Sequence, residues 1–192
     1  TKFKASTRRD IPRIAEKLKL DKEQIIDMQA VSAVLPFRVN DFVIDNLIEA
    51  SQVPDDPIFQ LTFPQRGMLH DDDYRHMRDL VVSQASEADL KIAADKIRKK
   101  LNPHPAGQME LNVPKLEGEV VEGMQHKYQE TVLFFPTQGQ TCHAYCSYCF
   151  RWAQFVGDAD LKFATKEAEN LARYVRENPQ VSSVLITGGD PM

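Results

Sequence analysis

Three cysteines, Cys142, Cys146 and Cys149, fall within one eight-residue stretch, and the chain holds no others. An odd number at such tight spacing makes a poor disulfide framework and suits a reducing, cytoplasmic compartment. Thiolates are soft ligands, and three in one loop can wrap a single compact metal centre. A four-iron cluster ordinarily takes four cysteines, so three leave one iron open to a small ligand. A closed zinc site needs four protein ligands. The nearby candidate is His143, whose place beside Cys142 makes co-ligation awkward. Three inert, buried thiols are the remaining alternative. The spacing favours the cluster over both.

A second segment that can receive a ligand is Gly188-Gly189-Asp190, where paired glycines let the backbone approach a bound group closely. Both segments follow apolar, β-type runs. Thr131–Phe135 reads as a short strand buried on both faces and precedes the cysteines; Ser183–Thr187 reads as a second strand and leads straight into the glycines. Between them, Thr165 can cap a helix with Ala168, Leu171, Ala172 and Val175 on one face, a Glu169–Arg173 pair one turn apart, and Pro179 at its end. Strand, loop, helix, strand is a βαβ unit, which requires parallel strands. In such architectures binding sites gather beyond the carboxyl ends of the strands. The cysteine loop and the glycine turn are therefore expected side by side on one edge of a sheet.

The 192 residues are 42% hydrophobic and carry a net charge of −4. That is enough apolar material for a packed core, and no apolar run is long enough to span a membrane. Mild acidity argues against a general nucleic-acid binder. Helical periodicity marks Arg13–Leu20, Asp21–Ala30 and residues 86–101, the last with a Ser86–Asp89 capping box and Leu90, Ala93, Ile97 and Leu101 on one face. Residues 53–69, with three prolines, read as extended or looped. Asp71–Asp73 read as a solvated loop or helix start, and Lys96, Arg98, Lys99 and Lys100 as a solvated helix end. The division expected is a helical region over 1–105, a Pro/Gly/Glu-rich linker or wrapping arm over 106–130, and an α/β region over 131–192.

TCHAYCSYCF resembles the signature of the radical S-adenosylmethionine superfamily, three cysteines at three-then-two spacing with Tyr148 in the aromatic place before the last. GGDP after a strand resembles that superfamily's glycine-rich segment. Over longer stretches, HKYQETVLFFPTQGQTCHAYCSYCFRWAQFVG and YVRENPQVSSVLITGGDPM, the chain is similar to the lysine 2,3-aminomutase family. DDPIFQLTFPQ and the arm at 103–126 fit the same family more loosely. The resemblance implies a [4Fe-4S] cluster on Cys142, Cys146 and Cys149. It implies S-adenosylmethionine at Gly188, Gly189 and Asp190 with Tyr148 beside it, and a substrate carboxylate on Arg151. It also implies pyridoxal phosphate near Lys127 and Tyr128. The family often continues that basic-Tyr pair with Pro-Asp-Arg; this chain has Gln129-Glu130-Thr131, which supplies no arginine for the cofactor phosphate.

The activity so implied is that of an isomerase, a pyridoxal-phosphate-dependent 2,3-aminomutase that moves the α-amino group of lysine or a lysine-like amino acid to the β-carbon. The alternatives are a radical enzyme without pyridoxal phosphate and a non-catalytic zinc- or cluster-binding module. Implied partners are the amino-acid substrate, a reducing electron donor and further copies of the chain as a homo-oligomer, with neither membrane nor nucleic acid. The implied fold is α/β: an N-terminal helical region, then the first βαβ unit of a partial TIM-type radical barrel. One such unit cannot close a barrel. The Schiff-base lysine and the acidic residues that select the substrate are expected beyond residue 192, so no catalytic residue is nominated, and the 192-residue chain alone is expected to be poorly stable and inactive.

Overall fold

A computed structural model describes residues 4–101, 107, 110–137, 140, 142–146, 164–166 and 168–188 of the chain. They mix helix and sheet in two compact units, one of residues 1–103 with 143–149 and one of residues 104–142 with 150–192.

In the first unit the helices are α1 (Ile11–Leu18), α2 (Lys22–Val34), α3 (Asp41–Asn46), α4 (Pro57–Thr62), α5 (Asp71–Val82) and α6 (Glu87–Leu101). A short antiparallel ribbon joins β1 (Ala5–Ser6) to β2 (Val39–Asn40). Local chemistry starts the long helices. Asp21 and Gln24 satisfy each other's backbone N–H groups at the head of α2, at 2.8 Å each way. Ser86 Oγ accepts from the Asp89 N–H at 3.2 Å and donates to the Asp89 carboxylate at 2.7 Å, so Ser86 caps α6 as expected, with its hydroxyl rather than its backbone N–H meeting Asp89. Val31, Val34, Tyr74, Met77, Leu90, Ala94 and Ile97 then close one core between α2, α5 and α6. A second core gathers Ile11, Ile14, Met28, Phe37, Phe59 and Phe63, the last two stacked with centroids 4.5 Å apart.

Two expectations change here. Residues 53–69 contain a helix, α4, because two of the three prolines bound it rather than interrupt it. Pro57 takes the first helical position, where its missing N–H costs nothing. Buried Asp56 caps it, accepting from the Phe59 N–H at 2.7 Å and from the Glu49 N–H at 3.0 Å. The basic end of α6 is not simply solvated. Arg98 reaches the end of α2, donating to the carbonyls of Val34 (2.7 Å) and Ala33 (3.1 Å) while Asp95 holds its third side at 2.9 Å. Those carbonyls have no partner within their own helix. Lys100 pairs with Asp73 at the start of α5.

In the second unit β3 (Lys115–Leu116) and β4 (Glu119–Val120) form an antiparallel hairpin, and β5 (Met124–Tyr128), β6 (Thr131–Phe134) and β7 (Ser183–Ile186) form a sheet in that order. Much of the expected linker is thus β-structure. β5 and β6 are antiparallel; β6 and β7 are parallel, from Thr131 opposite Ser183 to Phe134 opposite Ile186. With α7 (Ala168–Glu177) between them, the expected βαβ order is present. Its core is Leu116, Met124, Val132, Phe134, Tyr174 and Val181. β6 is not buried on both faces: Val132 and Phe134 are buried and alternate with half-buried Thr131 and Leu133. Arg173 pairs with Glu177 at 3.0 Å and with Glu117 at 2.5 Å rather than with Glu169, because the β3–β4 turn delivers a second carboxylate to its other side. Among the described residues no helix is long and apolar enough to cross a membrane.

Two tests follow from these contacts. Replacing Arg98 by Ala strips the end of α2 and is expected to cost about 1–2 kcal/mol in denaturant unfolding; Lys recovers only part of it, since an ammonium cannot serve two carbonyls and a carboxylate in one plane. Burial, aided by a hydrogen bond to Asp27, pushes the Tyr74 phenol up to about 12. A raised folded-state value means that its contribution is complete below the ordinary tyrosine range and fades as pH climbs from about 10 to about 12. Unfolding midpoints of the parent are expected to fall across that window, and Tyr74→Phe to flatten the fall.

Candidate functional site

The parallel register of β6 and β7 aims both strands at the same edge. Beyond β6, fully buried Phe135 donates its N–H to Gly123 at 2.9 Å and accepts from the Thr165 N–H at 3.0 Å. Thr165 also bridges Pro136 in parallel fashion, three residues before the helix begins at Ala168. Beyond β7, Thr187 donates to the Phe134 carbonyl at 2.9 Å, which carries the pairing one residue past the strand and sets Gly188 at the edge.

Gln140 joins the two segments. Its Nε2 donates to the Pro136 carbonyl at 3.0 Å and to the Thr187 carbonyl at 3.2 Å. Its Oε1 is buried and has no hydrogen-bond partner among the described residues. Gly188 has φ +147°, and a Cβ there would stand 2.0 Å from Gln140 Nε2. The loop that runs toward Cys142 and the turn that opens the glycine segment are thus neighbours, as the strand order requires. The residue that couples them, Gln140, carries no signal in the sequence beyond lying two positions before the first cysteine.

Cys142 is a half-buried thiol in the second unit and Cys146 an exposed thiol in the first. In the first unit Tyr145 fixes its segment: its N–H donates to Leu61 at the end of α4 at 2.8 Å and its hydroxyl to the Pro36 carbonyl at 2.6 Å. Burial raises its phenol above the ordinary tyrosine value. Among the described residues no three His, Cys, Asp or Glu side chains gather as a metal site. Tyr148, Cys149, Arg151, Gly189 and Asp190 lie outside the described residues.

Lys127 and Tyr128 are exposed on β5, with the ammonium 5.5 Å from the ring centre. Tyr128 pairs with Thr131, whereas Met124 pairs with Phe134. The pair therefore stands at the opposite end of the sheet, about 10 Å along the strand from the Phe134 edge. Next to it, His126 bonds Tyr174 on α7 through Nδ1 (2.6 Å) and the Gln129 carbonyl through Nε2 (3.2 Å). A carbonyl only accepts, so in the neutral ring Nε2 carries the proton and Nδ1 receives the tyrosine hydroxyl. His126 thus ties β5 to α7.

No protein-family profile matches the chain. It is similar to the L-lysine 2,3-aminomutases of Acetoanaerobium sticklandii (36% identical over 72 residues, 38% of this chain and 17% of that protein) and Bacillus subtilis (36% over 74 residues, 38% and 15%). A protein of Aquifex aeolicus provisionally named L-lysine 2,3-aminomutase is 42% identical over 72 residues, 38% of this chain and 18% of its own. The chain carries a lysine 2,3-aminomutase-like segment. The matched stretch spans less than a fifth of the length of these curated relatives.

Tyr145 offers a test of how the segment around Cys146 is held. Tyr145→Phe removes the bond to Pro36 and is expected to speed amide hydrogen exchange across 143–146 about fivefold, the factor for ~1 kcal/mol.

Proposed function

We propose that the protein is a radical S-adenosylmethionine isomerase, an aminomutase that shifts the amino group of lysine or a lysine-like amino acid between adjacent carbons. The observation that carries this reading is the meeting, at the carboxyl edge of β6 and β7, of the loop entering Cys142 with the turn at Gly188. The residues present suit the groups that the chemistry needs. Cys142 is a half-buried thiol and Cys146 an exposed one. A buried acceptor without a partner among the described residues and a glycine position that admits no side chain border the same turn. Bound there, an iron–sulfur cluster with adenosylmethionine supplies one-electron chemistry at carbon.

The chain's own residues then divide the work. Cys142, Cys146 and Cys149 hold the cluster and leave one iron open. Gly188, Gly189 and Asp190 receive the methionyl end of adenosylmethionine, with Tyr148 alongside. Arg151 pairs with the substrate carboxylate, the geometry for which a guanidinium is suited. Phe135 and Met124, both fully buried beneath this edge, keep water from its floor. Pyridoxal phosphate belongs to the proposal as carrier of the migrating amine. Lys127 and Tyr128 do not converge with the Cys142–Gly188 edge, so no step is assigned to them.

In this reading β6, α7 and β7 open a TIM-type barrel. Val184, Leu185 and Ile186 support it, since apolar side chains exposed along an edge strand are what a neighbouring element covers. Free thiols suit a reducing, cytoplasmic setting, and the proposed cluster takes its electron from a low-potential donor.

Metal analysis tests the proposal. Anaerobically prepared protein is expected to hold iron and sulfide at about four each per chain. Serine at position 142, 146 or 149 is expected to remove most of both. Stoichiometric zinc without sulfide contradicts the proposal and favours a zinc module.

A further inference from the structure

The side-chain amide of Gln140 has a fixed orientation. Both groups it meets through Nε2, the carbonyls of Pro136 and Thr187, are acceptors. A flipped amide would set oxygen against oxygen twice, so Nε2 must face them and both of its hydrogens are used. Oε1 is then the acceptor left over, and it is buried without a hydrogen-bond partner among the described residues. Buried polar atoms are nearly always satisfied, and an exception in a native site marks a group held ready. Its surroundings say for what. The position of a Cβ on Gly188 would lie 2.9 Å from Oε1, so this acceptor borders the turn that follows β7. Gly188 must also be glycine for the strap to exist, because any side chain there would occupy the place of the Gln140 amide.

We propose that Gln140 straps the turn after β7 to the loop entering Cys142, and that its Oε1 accepts an N–H from the ligand bound at that turn. Under the function proposed above, on which the second half rests, that donor is the ammonium of adenosylmethionine. The strap and the acceptor are separable by substitution. Gln140→Glu keeps an acceptor and loses both donors; Gln140→Met keeps the length and loses everything polar.

The experiment uses the full-length protein, iron-loaded under anaerobic conditions, with iron content and thermal midpoint recorded for each variant. Both variants are expected to speed hydrogen exchange in 136–142 and 183–188 together, leaving α6 unchanged. With cluster content intact, Gln140→Met is expected to weaken adenosylmethionine binding about tenfold. An analogue that lacks the amino group is expected to bind parent and Gln140→Met alike. Unchanged exchange in both segments overturns the strap. Equal affinity for adenosylmethionine, or a tenfold loss that persists with the deaminated analogue, overturns the acceptor role. Parent protein that holds its cluster and binds no adenosylmethionine contradicts the proposed function and the acceptor role together, while faster exchange in the variants still upholds the strap.

Discussion

Parallel pairing between β6 and β7 is the constraint on which the site depends. A hairpin would have sent the glycine turn to the far end of the sheet. The parallel register, residue for residue from Thr131 with Ser183 to Phe134 with Ile186, delivers both loops to one edge. The pairing then runs on past the strands through Thr187 with Phe134 on one side and Thr165 with Phe135 on the other. Fully buried Phe135 and Met124 lie beneath that edge, and Gln140 links its two loops.

The antiparallel partner β5 has the complementary effect. By running against β6 it carries Lys127 and Tyr128 away from the same edge, although they lie only a few residues before it in sequence. The helix closes the unit from behind. His126 and Tyr174 tie it to β5, and Arg173 ties it to the β3–β4 turn. Exposed ion pairs such as the latter contribute little each, so the packing of Met124, Val132, Phe134 and Tyr174 carries this arrangement.

What could be read from the residues depended on how local the determining interaction was. Helix caps are local, and the Ser86 cap and the helical stretches of the first unit are visible in spacing alone. The βαβ order was legible because two β-type runs flank one amphipathic helix. The α4 helix was not, since three prolines in seventeen residues obscure a cap formed by Asp56 and a proline at the first helical position. Arg98 was legible as a cation but not as the cap of another helix, 64 residues away. The partnership of Gln140 with Thr187 spans 47 residues and leaves no periodic trace. Of the candidate site, therefore, the cysteines and glycines were visible in the spacing, and the residue that couples their loops, Gln140, was not.

The central claim is that the cysteine segment and the glycine turn form one site for a cluster and a sulfonium ligand. The most direct measurement is electron spin resonance of the reduced, anaerobically iron-loaded protein before and after addition of adenosylmethionine. The cluster signal is expected to change shape on addition, and Cys146→Ser to show no such signal. A strong cluster signal that adenosylmethionine leaves untouched would contradict it.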